Sequence, residues 1–379
     1  MVPRFQWVIC QLDMLRRCMS VSAIRKAMSA LPKSLDETYD RILLGIDEIH
    51  QPEVMKVLYA LTVSVNPLTL EEIVEILAVD LEATPPRFEP DSRLLDPRTI
   101  LSMCSSLVTT SRVGQWDAFG GKTLRLAHAS VADYLTRPNP SGPSQFHFTR
   151  NSASQFLAQT CLAYLLNPEF SGGDNGLTHA QVMQRLKTFP FLRAATFWPK
   201  YLKKEAGDPE EHLTPRTKEI LQMFFSTSKL PNGGNFAAWV RMLIPSSPAS
   251  YVQNTHPLYY AASFGLFEVV RIILDTEKGL DINALGGRAH ATALHVAVYR
   301  NHIDVVRLLL ERGAEPNIPN NVNESPMYWA CANGNRKMQA LLEQYGAGPS
   351  RDAIWNRFSR DRERVPDARS ASGLEWIEY

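Results

Sequence analysis

The sequence predicts a mainly α-helical protein that ends in a stack of three two-helix units. Similar sequence motifs begin at residues 257, 293 and 326, a spacing of 36 and then 33 residues. Each copy continues with a pair of small residues, a glycine or asparagine, and a second apolar stretch, which is the pattern of two helices joined by a tight turn. Upstream, apolar residues recur at helical spacing, and only two short segments are predicted as strands.

Residues 1–50 are predicted to be a helical segment. Ser34 and Glu37 form a capping box. The helix that it opens carries an apolar face made of Leu35, Tyr39, Ile42, Ile46 and Ile49. An earlier apolar face, from Phe5 to Leu15, suggests that a partner domain precedes the segment, although the same face could dock on the following helices.

Residues 51–137 are predicted to have the element order of a winged-helix domain. An apolar helix covers 54–63, and a second capping box at Thr69 opens the next helix, through Val79. Asp96 and Pro97 begin a third helix. Strands are expected over 107–112 and 123–127, followed by a last helix.

A helical connector is predicted for residues 138–250, beginning at a linker rich in proline, serine and glycine. Its expected helices include Ser152–Leu166, His179–Lys187, Phe191–Lys204 and Pro215–Ser226. The repeat stack occupies 251–347. The tail, 348–379, is rich in arginine and acidic residues, and we expect it to be largely disordered.

Composition indicates a soluble cytoplasmic protein. The chain has 379 residues, 45% of them hydrophobic, and a net charge of +1, so no overall field directs it towards nucleic acid or anionic membranes. Its five cysteines are scattered and form no C-x-x-C pair, as expected of thiols in a reducing compartment. The longest apolar run, Val57–Val65, is too short to span a membrane.

The three units resemble ankyrin repeats, in which a T-P-L-H turn precedes two antiparallel helices. The match is best in the middle unit, with Thr292-Ala-Leu-His295 and Gly313-Ala314-Glu-Pro-Asn317. A generic helical hairpin array is the alternative. Tyrosine replaces the turn histidine in the other two units. The resemblance implies a hydrogen bond made by this histidine, and only His295 can make it here. Gly313 and Gly346 are predicted at helix C-caps with positive φ, and the loop Ala284–His290 is expected to project as a longer finger.

Segments outside the repeats resemble fungal NACHT–ankyrin proteins, which are nucleotide-dependent switches of the STAND type related to NOD-like receptors. The resemblance lies in Phe5–Leu12, Leu31–Leu43 and Leu124–Leu135. It implies a regulated switch in which an ATPase precedes a NACHT-associated helical segment, a winged helix, a connector and ankyrin repeats. The repeats of such a switch sense or bind a partner.

The nucleotide-binding motif of that family is missing from this sequence. Residues 120–123 are Gly-Gly-Lys-Thr, but Trp116 occupies the position of the first P-loop glycine. The segment is therefore predicted to be a hairpin turn, and no cofactor is expected. The protein is either a part lacking the ATPase, or a subunit or truncated gene model of a STAND NTPase whose nucleotide-binding domain lies elsewhere.

His128 has two possible roles. His128, Ser130, Asp133 and Tyr134 match the segment with which, in related switches, a winged-helix histidine contacts the phosphate of ADP. The structural alternative is that Ser130 N-caps the last helix, with Asp133 three positions later, and His128 ends a strand. His128, Ser130 and Asp133 lie too close in sequence for a hydrolase triad, and no G-x-S-x-G motif is present.

Other chemistry is not expected. No metal-binding motif is present. Residues 51–137 carry a net charge of −3, and the candidate recognition helix has only Arg98, so DNA binding is not predicted.

The candidate functional surface lies on the repeats. Variable positions of the first helices place aromatic residues and an arginine in a stripe on the expected concave side. The predicted contact residues are Tyr260, Phe264, Tyr299, Arg300 and Trp329, with Arg288 and His290 in the finger. The alternative is that these aromatics pack between units. We expect a non-catalytic protein–protein interaction module in signalling, whose partner is a protein; a NACHT protein and an oligomer of the chain are both candidates.

Overall fold

The fold is that of a computed structural model. It describes residues 8, 11–12, 15–16, 18–29, 31–112, 122–137, 144–173, 178–204, 213–244, 247–287 and 289–348. These residues form two compact units, the first ending at Cys161 and the second beginning at Leu162. Helices dominate both, and no described strand exceeds five residues, so the mainly α class is confirmed. The five predicted domains are a finer division and stay a prediction.

The first unit contains short helices and two small sheets. Its helices are α1 (Val21–Ser29), α2 (Leu35–Leu44), α3 (Gln51–Val63), α4 (Leu70–Leu77), α5 (Thr99–Cys104), α6 (Ala129–Thr136) and the start of α7 (Arg150–Leu165). Its strands are β1 (Leu68–Thr69), β2 (Val79–Asp80), β3 (Arg87–Phe88), β4 (Val108–Arg112) and β5 (Lys122–Leu126).

Helix α2 begins where the sequence predicts. The Ser34 side chain accepts a hydrogen bond from the Glu37 amide at 3.1 Å. The Glu37 carboxylate accepts from the Lys33 amide at 2.8 Å, one residue earlier than in a capping box. The helix ends at Leu44, because Gly45 closes its last turn, and Ile49 is 77% exposed. The predicted apolar face therefore stops short of Ile49.

A three-stranded antiparallel sheet anchors the next segment. Its strand order is β1-β5-β4, and Leu124 on the central strand pairs with Leu68 and Thr110. Helices α3 and α4 pack against β5. The capping box that opens α4 is present: the Thr69 amide donates to the Glu72 carboxylate at 2.7 Å, and the Glu72 amide donates to Thr69 Oγ1 at 3.2 Å.

The sequence analysis misses three short strands and misplaces two helix boundaries. Strands β1, β2 and β3 have two residues each, too short for a period-2 pattern to be seen. Helix α4 ends at Leu77 rather than Val79. Helix α5 begins at Thr99, two residues after Pro97, because the Asp96 carboxylate accepts from the Arg98 amide at 2.9 Å and first forms a turn.

The second unit is helical throughout its described part. Beyond the end of α7, its helices are α8 (His179–Thr188), α9 (Leu192–Ala195), α10 (Trp198–Tyr201), α11 (Pro215–Ser226), α12 (Gly234–Leu243), α13 (Ala249–Gln253), α14 (Pro257–Phe264), α15 (Phe267–Thr276), α16 (Ala293–Tyr299), α17 (Ile303–Glu311), α18 (Pro326–Ala332) and α19 (Arg336–Gln344).

The connector has two departures from expectation. The single helix predicted for Phe191–Lys204 is two short helices, α9 and α10, with Pro199 in the first turn of α10. Helix α12, absent from the predicted helices, is the core of the connector. Buried Asn235 fixes its start by donating to the carbonyls of Leu165 and Asn167, each at 2.9 Å.

The repeat region is a stack of helix pairs. The first helices of the pairs, α14, α16 and α18, pack side by side, and each also packs on its own second helix, α15, α17 or α19. We call them the inner and outer helices. Ala261, Ala297 and Ala330, which belong to the pairs of small residues in the three units, are all buried. Gly313 and Gly346 have φ values of 89° and 85°, which confirms their predicted conformation.

Some predictions concern residues outside the described part of the chain. These are the turn at Gly120, the linker 138–143, Arg288 and the tail from 349. Across the residues that are described, no helix combines the length and the apolar composition that crossing a membrane requires.

Candidate partner-binding surface

Two of the predicted contact residues are core residues, which corrects the expected stripe. Tyr260 is 1% exposed and Trp329 is 4% exposed. Both occupy the inner-helix position that Val296 fills in the middle unit, and Val296 is buried as well. Alignment of the three units against this valine could have revealed that the position faces inward.

Tyr260 is buried by the connector. Its ring lies edge-on to Phe236 and Trp239 of α12, with centroid distances of 6.0 and 5.6 Å. Trp239 also contacts Phe264, at 6.2 Å. Helix α12 therefore covers the side of α14 that has no preceding repeat, and it extends the stack on the N-terminal side.

The remaining inner-helix candidates stay partly accessible. Phe264, Arg300 and Asn333 occupy equivalent positions in the three units, and Tyr299 precedes Arg300. Phe264, Tyr299 and Arg300 are half-buried, and Asn333 is exposed. We call these four residues the inner-helix surface.

Contacts within the inner-helix surface hold its aromatic and cationic groups in place. The Arg300 guanidinium lies 5.4 Å from the centre of the Tyr299 ring. The Tyr299 ring meets Trp329 edge-on at 4.6 Å, and the Asn333 amide donates to the Tyr299 carbonyl at 3.3 Å. Burial lowers the pKa of Arg300, against smaller raising effects of Tyr299 and Tyr259. The surface thus presents a partly desolvated cation on an aromatic base, a combination enriched at interface hot spots.

The finger Ala284–His290 is tied to its neighbours. Gly286 and Ala291 exchange two backbone hydrogen bonds, at 2.9 and 3.0 Å, so the loop closes as a small hairpin. The Gly287 amide donates to Thr255 Oγ1 at 2.8 Å. The next loop is joined to it by the Asn321 amide, which donates to the Ala289 carbonyl at 3.0 Å. His290 is exposed and has a φ of 47°, so it stands at the surface of the finger.

His295 is a buried structural residue. Its amide donates to Thr292 Oγ1 at 3.0 Å, which caps α16. Burial lowers its pKa to about 4, against a smaller raising effect of a backbone hydrogen bond at Ile318. The ring is therefore neutral at physiological pH.

His128, rather than the predicted Ser130, caps α6. Its Nδ1 accepts from the Ser130 amide at 3.1 Å and shares a second hydrogen bond with Ser130 Oγ at 2.7 Å. Ser130 Oγ in turn lies 2.9 Å from the Tyr39 hydroxyl of α2. Ser130 lies inside the helix, because the extended backbone that a cap requires belongs to His128 (φ −155°, ψ 153°).

Tyr134 strengthens the same junction by donating a hydrogen bond to the Asp40 carboxylate. Helices α2 and α6 are thus joined through two polar links. The nucleotide contact of His128 stays a prediction.

Two buried thiols are poorly suited to nucleophilic chemistry. Cys104 and Cys161 are buried, and burial raises the pKa of Cys104 to about 12 and that of Cys161 well above its usual value. Thiols held protonated are poor nucleophiles. Among the described residues, no group of three or more His, Cys, Asp and Glu side chains could hold a metal ion.

A family model described as ankyrin repeats (3 copies) matches residues 284–353. These residues form ankyrin repeats. The match begins in the finger, and the helix pair α14–α15 before it packs on the next pair, α14 on α16 and α15 on α17.

The relatives differ in how much of the chain they share. Azaphilone pigments biosynthesis cluster protein L of Monascus ruber is 30% identical over 311 residues, 76% of this chain and 61% of that protein. Alpha-latrocrustotoxin-Lt1a of Latrodectus tredecimguttatus is 28% identical over 163 residues, 41% of this chain and 11% of the toxin. Palmitoyltransferase ZDHHC17 of Homo sapiens is 31% identical over 98 residues, 26% of this chain and 15% of the enzyme. The chain thus spans less than two thirds of each relative's length.

Proposed function

We propose that this chain is a protein-interaction module that binds a protein partner through the inner-helix surface and has no catalytic activity of its own. The observation that carries the proposal is the contrast along the inner helices of the ankyrin stack. Among their aromatic side chains, Tyr259, Tyr260 and Trp329 are buried, whereas Phe264, Tyr299 and Tyr328 keep accessible area, as does Arg300. Solenoid stacks use such surfaces for binding.

The functional module in this proposal includes the connector. Phe236 and Trp239 cover the first inner helix, and buried Glu268 of α15 accepts a hydrogen bond from the Leu213 amide at 3.2 Å. Repeat stacks need capping elements at their ends. A fragment made of the repeats alone would expose Tyr260, so the full chain is the appropriate bait.

We further propose that the module is the regulatory and sensor part of a NACHT-type signalling architecture in the cytoplasm. The supporting observations lie before the repeats. The sheet order β1-β5-β4 with helices α3 to α5 is typical of a winged helix. The alignment with the Monascus protein covers 311 residues, far more than the ankyrin region, so the likeness includes upstream segments. The cysteines described in the structure, Cys18, Cys104, Cys161 and Cys331, are free thiols, as in a reducing compartment.

The second candidate, a subunit or part of a STAND NTPase switch, rests on His128. The resemblance gives this histidine a nucleotide contact, and a NACHT domain outside residues 1–379 would supply the rest of the pocket. The test is the nucleotide affinity of a NACHT protein mixed with the wild-type chain and with His128→Ala. An unchanged affinity contradicts this candidate and leaves the binding-module proposal intact.

The main proposal is tested by cross-linking partners to the full-length chain. Three baits are compared: the wild type, the double variant Tyr299→Ala with Arg300→Ala, and Arg307→Ala. Arg307 is an exposed residue of the outer helix α17 and serves as the matched control. We expect the double variant to lose a partner that the control retains, with a nearly unchanged melting temperature.

Two results would contradict the proposal. Identical partner sets for all three baits would show that binding does not use the inner-helix surface. An unfolded double variant would mean that Tyr299 and Arg300 serve packing, and Arg300→Gln alone would then be compared with Arg307→Gln.

A further inference from the structure

Acidic residues are distributed unevenly over the ankyrin stack. Residues 251–348 contain nine carboxylates, and all of them lie on outer helices or in loops. These are Glu268, Asp275, Glu277, Asp281, Asp304, Glu311, Glu315, Glu324 and Glu343. The inner helices α14, α16 and α18 carry none. The charge that the inner-helix surface offers a partner is therefore that of Arg300.

One segment of the connector, between Asp174 and Glu205, adds further positive charge. Between Asp174 and Glu205 the sequence has no Asp or Glu and six basic residues. Three of these, Lys200, Lys203 and Lys204, lie at and just after α10 and are exposed. The Lys200 ammonium lies 4.9 Å from the centre of the Phe197 ring. Helix α10 packs against the inner helix α14, so this basic segment borders the inner helices.

The two basic regions meet at His302. This residue precedes the outer helix α17, and its Nε2 lies 3.0 Å from the Ser263 carbonyl at the end of α14. Burial lowers the pKa of His302, and the positive charges of Lys203 and Arg300 lower it further. Because α10 packs against α14 and His302 bonds to the end of α14, the segments that carry Lys203 and Arg300 both border this inner helix.

We propose that Arg300 and Lys203, with the aromatic side chains beside them, form a binding surface for an acidic segment of a partner polypeptide. This inference rests on the proposed function and names the chemistry of the partner. Carboxylates complement the cations, and Tyr299, Phe264 and Phe197 offer apolar area to the side chains between those carboxylates.

A polypeptide fits this surface better than a nucleic acid. Binding of nucleic acid depends on many phosphate contacts, and the chain has a net charge of only +1 with few cations at this place. A mixed aromatic and cationic lining is typical of protein interfaces.

The test uses the full chain and a fluorescent random copolymer of glutamate and tyrosine as the probe, read by polarisation. We expect saturable binding that weakens as salt rises, and a loss of roughly tenfold in affinity for Lys203→Gln with Arg300→Gln. The control pair is Arg307→Gln with Lys337→Gln, two exposed cations on outer helices whose loss changes the net charge equally. Melting temperatures confirm that both pairs are folded.

Three outcomes would overturn the inference: no binding of the copolymer, an equal loss in both pairs, or tighter binding of a single-stranded oligonucleotide with the same dependence on Lys203 and Arg300. An equal loss would show that only net charge matters. If the cross-linked partner still depends on Tyr299 and Arg300 in any of these cases, the proposed function stands and only the acidic character of the partner is wrong.

Discussion

The ring of Tyr259 fills the space in which a side chain at Gly287 would lie. A Cβ atom added to Gly287 would be 2.6 Å from Tyr259 Cε1, closer than real Cβ atoms approach a ring. Tyr259 stands where the middle unit has His295, and it is almost fully buried. The larger ring is accommodated because the residue facing it has no side chain.

Gly287→Ala is therefore expected to destabilise the second unit. Gly287 has a φ of 65°, so alanine adds backbone strain, about 1 kcal/mol, to the clash with the ring. Overpacking a buried site costs about 1 to 3 kcal/mol more. The matched control is Gly313→Ala, where φ is 89° and nothing lies within 4 Å of the added Cβ, so only the strain remains. Urea unfolding of the two variants measures the difference.

Replacing the ring should relieve the clash. In the double variant Gly287→Ala with Tyr259→His, the smaller imidazole leaves room for the methyl group, so the two changes should cost less together than the sum of their separate costs. Strict additivity of the unfolding free energies would contradict the steric account.

The sequence predicts local features well, because their causes are local. The capping box at Thr69 and the helix Pro215–Ser226 both depend on side chains within a few residues of the helix start. Helix α12 is missed because a glycine pair opens it and its residues are buried almost all round, so no polar face marks its period.

The error at the candidate site has a different cause. The position of Tyr260 faces inward, as the equivalent Val296 already indicates, and Trp239 of the connector, which lies outside the repeats, covers its ring. Phe264, Tyr299 and Arg300 are half-buried within the described part of the chain, and Trp239 and Trp329 contact the first two only in part.

Trp239→Ala should destabilise the ankyrin stack from a position outside it. The side chain is buried against Tyr260, Phe236 and Trp198, and its loss leaves a cavity that costs about 3 to 5 kcal/mol. Because α12 covers α14, we expect amide hydrogen exchange to rise in α14 and α16 as well as in the connector. Phe267→Ala, at a 38% exposed site on α15, is the control and should have a small effect. Exchange that rises in α12 alone would contradict the capping role.

Acid should weaken the fold through His295. Its folded pKa is about 4, below the unfolded value of about 6.5. Between these two pH values, His295 is protonated in the unfolded chain and neutral in the folded chain. The stability that this group contributes is complete above pH 6.5 and is lost as the pH falls towards 4. The full loss is about 3 kcal/mol by linkage. His256 and His302, whose pKa values are also lowered, act in the same direction.

Unfolding free energies measured between pH 7 and pH 5 test this, since carboxylates titrate mainly below that window. His295→Gln should flatten the slope even though it lowers stability. Equal slopes in the wild type and His295→Gln would rule out His295 as the source.

Two ion pairs of the chain should differ sharply in their contribution to stability. The Glu75 side chain is 3% exposed, and Arg93 Nε donates to its carboxylate at 2.6 Å while the guanidinium lies 5.0 Å from the Phe88 ring. Arg312 and Asp275 meet at 2.7 Å, but both remain well exposed.

Arg93→Ala leaves a buried carboxylate without this partner and is expected to cost about 3 kcal/mol. Arg312→Ala should cost less than about 1 kcal/mol, because solvent already screens the pair. Chemical denaturation of both variants, repeated at high salt, distinguishes them: only the small effect of Arg312→Ala should vanish with salt. Equal losses would contradict the argument that burial of Glu75 makes Arg93 important.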